Sequence, residues 1–130
     1  MIKVLLDENL SEYFAEGLNQ LQYPLGDGIE VTSIAKAFHK GIKDEEWIPK
    51  WGDLSGIFIT QDIRIVTTKQ QALLLEKHKI GAFFLKCPKG YGYWHKVELV
   101  VKHWPEIVRI IKKNKTPYSF FITPRKIERW

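Results

Sequence analysis

Three acidic groups stand at places where side chains can do chemistry. Asp7, Glu8 and Asn9 follow directly on the apolar run that contains Ile2, Val4, Leu5 and Leu6. Asp44, Glu45 and Glu46 open the stretch "DEEWIPKWGDL", and Asp62 ends the run "GIFITQD". Two kinds of chemistry suit such groups. Carboxylates, amides and hydroxyls at helix starts cap backbone N–H groups and complement the helix dipole. Asn9 or Ser11 would serve the first helix in this way, Asp44 the second, and Asp62 a turn. Alternatively, carboxylates forced together repel each other, and a divalent cation removes that penalty. Mg²⁺ and Mn²⁺ prefer oxygen ligands, and Mg²⁺ takes one or two carboxylates and keeps several waters. Two such ions about 3.5–4 Å apart clamp the attacking and leaving oxygens of a phosphodiester. Taken one at a time the acids read as caps. Taken together at strand tips they read as a ligand set.

The elements that must position them follow from periodicity. Residues 2–6 read as a buried strand, and 10–21 as a helix with Leu10, Phe14, Leu18 and Leu21 on one face. "QYPLGDG" is a turn, 29–34 a strand, and "AKAFHKGIK" a loop. A short helix starts at Asp44 and is limited or kinked by Pro49. Strands are predicted over 56–62, 81–86 and 118–123. Helices are predicted over 67–79 and 91–114, the latter broken or kinked near Pro105, and "PRKIERW" is a basic tail. Strands alternating with helices predict an α/β fold with a mainly parallel central sheet flanked by helices, in one domain over residues 1–130. In such sheets ligands bind beyond the carboxyl ends of the strands, which is where Asp7 and Asp62 are expected.

Of the 130 residues, 45% are hydrophobic and 27% charged, the balance of an ordinary globular chain. No apolar run approaches the roughly 20 residues of a membrane span, so no membrane association is expected. Nothing resembles a signal peptide, and a strand from residue 2 suggests that the mature chain starts there. The single cysteine, Cys87, fits a reducing cytoplasm. The net charge of +5 divides unevenly: residues 1–63 carry −6 and residues 64–130 carry +11. An acidic half and a basic half suit a cation site beside a surface for a polyanion. Arg64, Lys69, Lys86, Lys89 and Lys112 are the candidate nucleic-acid contacts. The four histidines lack a zinc spacing and read as surface or rim residues. Trp94, Val97, Val101, Trp104, Val108 and Ile111 recur at near-helical spacing and read as a core stripe. Trp94 with Tyr91 and Tyr93 reads alternatively as a base-stacking rim.

The segments "KVLLDENLSEYFAEGL", "DEEWIPKWG" and "GIFITQDIRI", in that order, resemble the acidic motifs of PIN-like ribonuclease domains. "TTKQQALLLEKHKIGAFFL" and the terminal "KIERW" resemble the branch linked to VapC-type toxins. The resemblance covers most of the chain. It implies a PIN-like three-layer sandwich, Mg²⁺ or Mn²⁺ dependence, RNA cleavage by a metal-activated water, and control by a cognate antitoxin protein; a homodimer is compatible with it. It places the catalytic and metal-binding acids on Asp7, Asp44 and Asp62, with Glu8, Asn9 and Thr60 in support. Fuller PIN domains carry one more acid between the first two. Glu30 lies in that interval but reads as a strand residue, and Glu45 is the additional ligand expected. Two rival readings use the same residues. One is a PIN-like module that binds RNA without cutting it. The other is a phosphotransfer receiver with Asp7-Glu8, Asp62 and Lys86 as its signature.

Overall fold

The computed structural model describes residues 1–54, 56–62 and 68–130. Five parallel strands are built from β-branched and aromatic runs: β1 (Ile2–Leu6), β2 (Ile29–Ser33), β3 (Ile57–Thr60), β4 (Gly81–Leu85) and β5 (Tyr118–Ile122). A sixth strand, β6 (Ile127–Arg129), returns antiparallel to β5. The strand order is β2-β1-β3-β4-β5-β6. The helices are α1 (Glu12–Gln22), α2 (Ile34–Ala37), α3 (Asp44–Gly52), α4 (Lys69–Lys77) and α5 (Tyr93–Lys113).

Strand side chains alternate between faces, and here both faces are apolar, as in parallel sheets covered on both sides. Val4, Leu6, Ile57, Ile59, Phe83 and Ile122 pack against Phe14 and Leu18 of α1 and Leu99, Ile107 and Ile111 of α5. Leu5, Phe58, Ala82 and Phe84 pack the other way, against Ile34, Trp47, Ile48, Trp51 and Leu75 of α2, α3 and α4. The result is the three-layer sandwich.

Three local differences from the sequence reading have physical causes. The first helix does not begin at residue 10. Glu8–Leu10 form a 3-10 turn, Ser11 breaks it with φ 76°, and its Oγ then caps α1 by accepting from Tyr13 N at 3.1 Å. Helix α5 runs unbroken through Pro105, because buried residues on both sides of it, from Leu99 to Ile111, hold one face to the sheet. The basic tail contributes β6, whose Ile127 and Glu128 pair with Ile122 and Phe121.

The stripe expected on α5 is rotated. Its buried residues are Leu99, Val100, His103, Trp104, Ile107 and Ile111, whereas Trp94 and Val101 are exposed. His103 is a core residue and not a rim one, and its Nε2 donates to the Thr123 carbonyl at 2.8 Å. The Trp104 indole donates to Gln22 Oε1 at 2.8 Å, Gln22 Nε2 donates to Asp27, and Asp27 pairs with Lys112. This network ties α5 to the turn between α1 and β2.

Helix α3 is fastened to the sheet by its tryptophans. Trp47 lies 4.4 Å from the Phe58 ring, and the Trp51 indole donates to the Ile57 carbonyl at 2.9 Å. A methyl group on Gly56 would occupy the space of the Trp51 indole. Gly56→Ala is therefore expected to cost about 1–3 kcal/mol through overpacking. A lower urea midpoint at unchanged slope is the expected result.

Candidate active site

In the strand order, the chain reverses direction between β1 and β3, and such switch points open a crevice at the carboxyl edge. Asp7 and Asp62 flank that crevice. Asp7 continues the ladder by one bond, its N–H donating to the Ile59 carbonyl at 3.0 Å. It therefore projects to the same face as Leu5, toward α3.

Both oxygens of Asp7 are engaged. Oδ1 accepts from Glu8 N at 2.7 Å and Oδ2 from the Thr60 hydroxyl at 2.6 Å. The same hydroxyl accepts from Asp62 N at 2.9 Å. Thr60 is fully buried, and through one oxygen it sets the positions of both acids. Its place two residues before Asp62 is the signal that sequence offers, since alternation turns Thr60 inward beside Phe58.

Burial pushes the Asp7 carboxyl above its ordinary value, the bonds from Thr60 and Glu8 N–H pull it down, and the charges of Asp44 and Asp62 push it up again. The three acids are thus within electrostatic reach of one another. Asp44 is the first residue of α3 and not its N-cap, which is Lys43. Its Oδ1 accepts from the Trp47 indole at 2.9 Å, one helical turn on. Trp47 and Trp51 are the positioning residues that inspection of acids alone passes over; their i+3 and i+7 spacing from Asp44 is the available signal.

The remaining candidates separate. Glu8 Oε1 accepts from Gly41 N at 2.7 Å and holds the loop that leads into Asp44. Asn9 and Glu45 are exposed. Glu45, expected as a further ligand, lies in the first turn of α3, one residue after Asp44. Lys69, at the start of α4, and Lys86 and Lys89, just after β4, are exposed at the carboxyl edge. Lys86 Nζ lies 4.2 Å over the Phe121 ring. Lys112, expected as a nucleic-acid contact, is at the C-terminal end of α5 and pairs with Asp27 at 2.9 Å, just before β2. A crossover helix ends at the amino edge of the next strand, so Lys112 is on the far side of the sheet from Asp7. Arg64 lies outside the described residues.

A family model described as a PIN-like domain matches residues 2–87. The chain belongs to the PIN-like domain family. No curated protein and no solved structure matches it. PIN domains are generally nucleases and typically use divalent metals. The donor set of this PIN-like domain suits such an ion: Asp7, whose proton affinity Asp44 and Asp62 help to raise, and those two acids present hard oxygen ligands. Among the described residues no three His, Cys, Asp or Glu groups are gathered into a closed metal cluster. No helix among the described residues is long and apolar enough to cross a membrane.

Two outcomes are expected from this geometry. Thr60→Val removes both hydrogen bonds of the Thr60 hydroxyl, to Asp7 Oδ2 and from Asp62 N–H, at a cost of about 1–3 kcal/mol in denaturant unfolding. The second concerns pH. Asp7 holds its proton more tightly in the fold than its ordinary 3.8. Its favourable contribution is therefore present below that value and lost as pH rises through the folded one. Metal-free Asp7→Asn should then gain stability over the parent as pH rises from acid to neutral, read from melting temperatures. A difference independent of pH would show that Asp7 carries no such strain.

Proposed function

We propose that this PIN-like domain is a metal-dependent endoribonuclease and the toxin of a toxin–antitoxin pair, acting in the cytoplasm. One observation carries the reading. A half-buried carboxylate at the switch-point crevice is pinned by a threonine and pushed upward by desolvation and by two further acids. Perturbed carboxyls in a cleft mark functional sites. Structural economy would have placed a neutral residue there.

Asp7, Asp44 and Asp62 would hold the ion. Mg²⁺ or Mn²⁺ supplies positive charge that lowers the pKa of the attacking water and offsets charge on the leaving oxygen. The chain's own residues do the rest. Thr60 keeps one Asp7 oxygen aimed and fixes the backbone at Asp62. Glu8, through Gly41, and Trp47 fix Asp44. Lys69, Lys86 and Lys89 bind flanking phosphates, with Arg64 as a further contact. Lys69 stands at a helix start, where a positive charge opposes the dipole, and a bound phosphate relieves that opposition. The partners in this reading are RNA, a cognate antitoxin protein and, in a homodimer, a second copy. The antitoxin rests on the ordered acidic motifs and the toxin-like segments 67–85 and 126–130.

Incubation of the purified chain with total RNA and Mn²⁺ tests the proposal. Cleavage should fall by roughly a hundredfold or more in Asp7→Asn and Asp62→Asn, with the fold retained, and be little changed in Glu45→Gln. Excess chelator should abolish it, and equal cleavage in chelator sinks the metal mechanism. RNA retained but never cut would identify a binding module instead. Affinity should fall with salt by a log–log slope of about −0.7 per phosphate contact.

A further inference from the structure

The rings at the start of α5 have no part in the site described above. Trp94 is 77% exposed and its neighbour Tyr93 is 46% exposed. A single exposed apolar residue needs no explanation. Two adjacent large rings on a braced support are a different matter. Tyr91 packs against the α1–α5 core, and His95 stacks on it at 4.7 Å with planes 25° apart. His95 Nδ1 accepts from Gly92 N at 3.2 Å. Tyr93 meets Trp94 edge-on at 5.6 Å and 72°. The start of α5 is thereby fixed, and the Trp94 indole projects from it.

The position of these rings is as informative as their exposure. They follow the loop after β4, at the carboxyl edge, and α5 touches the Glu8–Leu10 turn that follows Asp7. Residues 86–96 carry Lys86, Lys89 and Lys96 and no acid. Aromatic faces beside cations bind single-stranded nucleic acid by stacking on bases while the cations hold phosphates. A duplex keeps its bases stacked internally and has no free face to offer.

We infer that Trp94 and Tyr93, with Lys89, form a base-stacking subsite that takes the unpaired bases of an RNA strand. The inference rests on the nuclease reading for the identity of the strand, and its test is independent of cleavage. The full-length protein is titrated in chelator with fluorescein-labelled oligouridine, with an abasic strand of equal length, and with a duplex, each followed by anisotropy. Trp94→Ala should weaken oligouridine binding about tenfold, and Trp94→Phe less than threefold. The salt slope and the affinity for the abasic strand should stay unchanged. Lys89→Ala should instead reduce the slope by about 0.7. The subsite falls if Trp94→Ala leaves oligouridine affinity intact, if the abasic strand is affected equally, if the duplex binds as tightly and with the same sensitivity, or if the parent does not bind oligouridine. Unchanged RNA affinity with loss of a dimer in sedimentation would assign the rings to a second copy and also overturn it. A tenfold loss in a protein that never cuts RNA supports the subsite and removes only the nuclease. Cleavage with Trp94-insensitive binding does the reverse.

Discussion

One hydrogen bond, from the Thr60 hydroxyl to Asp7, organises the carboxyl edge. A carboxylate taken from water costs several kcal/mol unless its lone pairs are satisfied. Asp7 is satisfied at both oxygens, from its own turn and from the neighbouring strand. Because Thr60 also receives the Asp62 N–H, the β1 and β3 tips are locked in register one residue past the last ladder pair, Leu6 with Ile59. The two hydrogen bonds lower the carboxyl, while burial and two like charges raise it, and the raising effects prevail. The fold therefore holds the Asp7 carboxylate at an electrostatic cost that its two donors only partly offset. Stability elsewhere has to carry it, and the continuous apolar layers on both faces of β1 and β3 are where that stability lies.

The second requirement is to bring Asp44 across from another element. Helix α3 begins with three consecutive acids, and the first of them, Asp44, helps to raise the Asp7 carboxyl. Its partner Trp47 stands over Phe58, and Trp51 reaches the β3 backbone. Function and core share side chains here: the indole that fills the core also orients the acid. The family match ends at residue 87, but β5 and β6 continue the same sheet, and α5 is bound to the earlier part through Trp104, Gln22, Asp27 and Lys112. The last third of the chain completes one face of the sandwich, and its long helix touches the Glu8–Leu10 turn that follows Asp7.

Much of this was legible in the sequence because parallel strands leave a strong mark. Runs such as Ile2–Leu6 and Ile57–Thr60 are short and largely apolar, and Asp7 and Asp62 stand one and two residues past their ends. Less legible was anything decided by a third element. Ser11 was legible as a candidate cap of α1 beside Asn9, but not the 3-10 turn over Glu8–Leu10 that it ends with a φ of 76°. Lys112 is a basic residue like Lys86 or Lys89, and only the crossover direction of α5 separates the edges on which they lie. His103 has a polar side chain within an amphipathic pattern, and nothing local reveals that the Thr123 carbonyl will meet it. Thr60 was visible as a position but not as a bridge, since its two partners lie 53 residues away and two residues away. The three-residue β6 is too short to carry a periodicity.

The strand order β2-β1-β3-β4-β5 is also that of other doubly wound folds, so topology alone does not separate this domain from a phosphotransfer receiver. The side chains do. A receiver needs the lysine after its late strand to reach into the acidic crevice. Lys86 instead directs its ammonium onto the Phe121 ring of β5, away from β1. A receiver also has no use for an acid delivered by a helix start from the neighbouring layer, whereas Asp44 is held there by a buried indole and raises the Asp7 carboxyl. A lysine inside the crevice would lower that carboxyl and compete with any cation. Lys86 commits its ammonium to an aromatic face instead, so the lysine that a receiver would aim at its acids is engaged elsewhere.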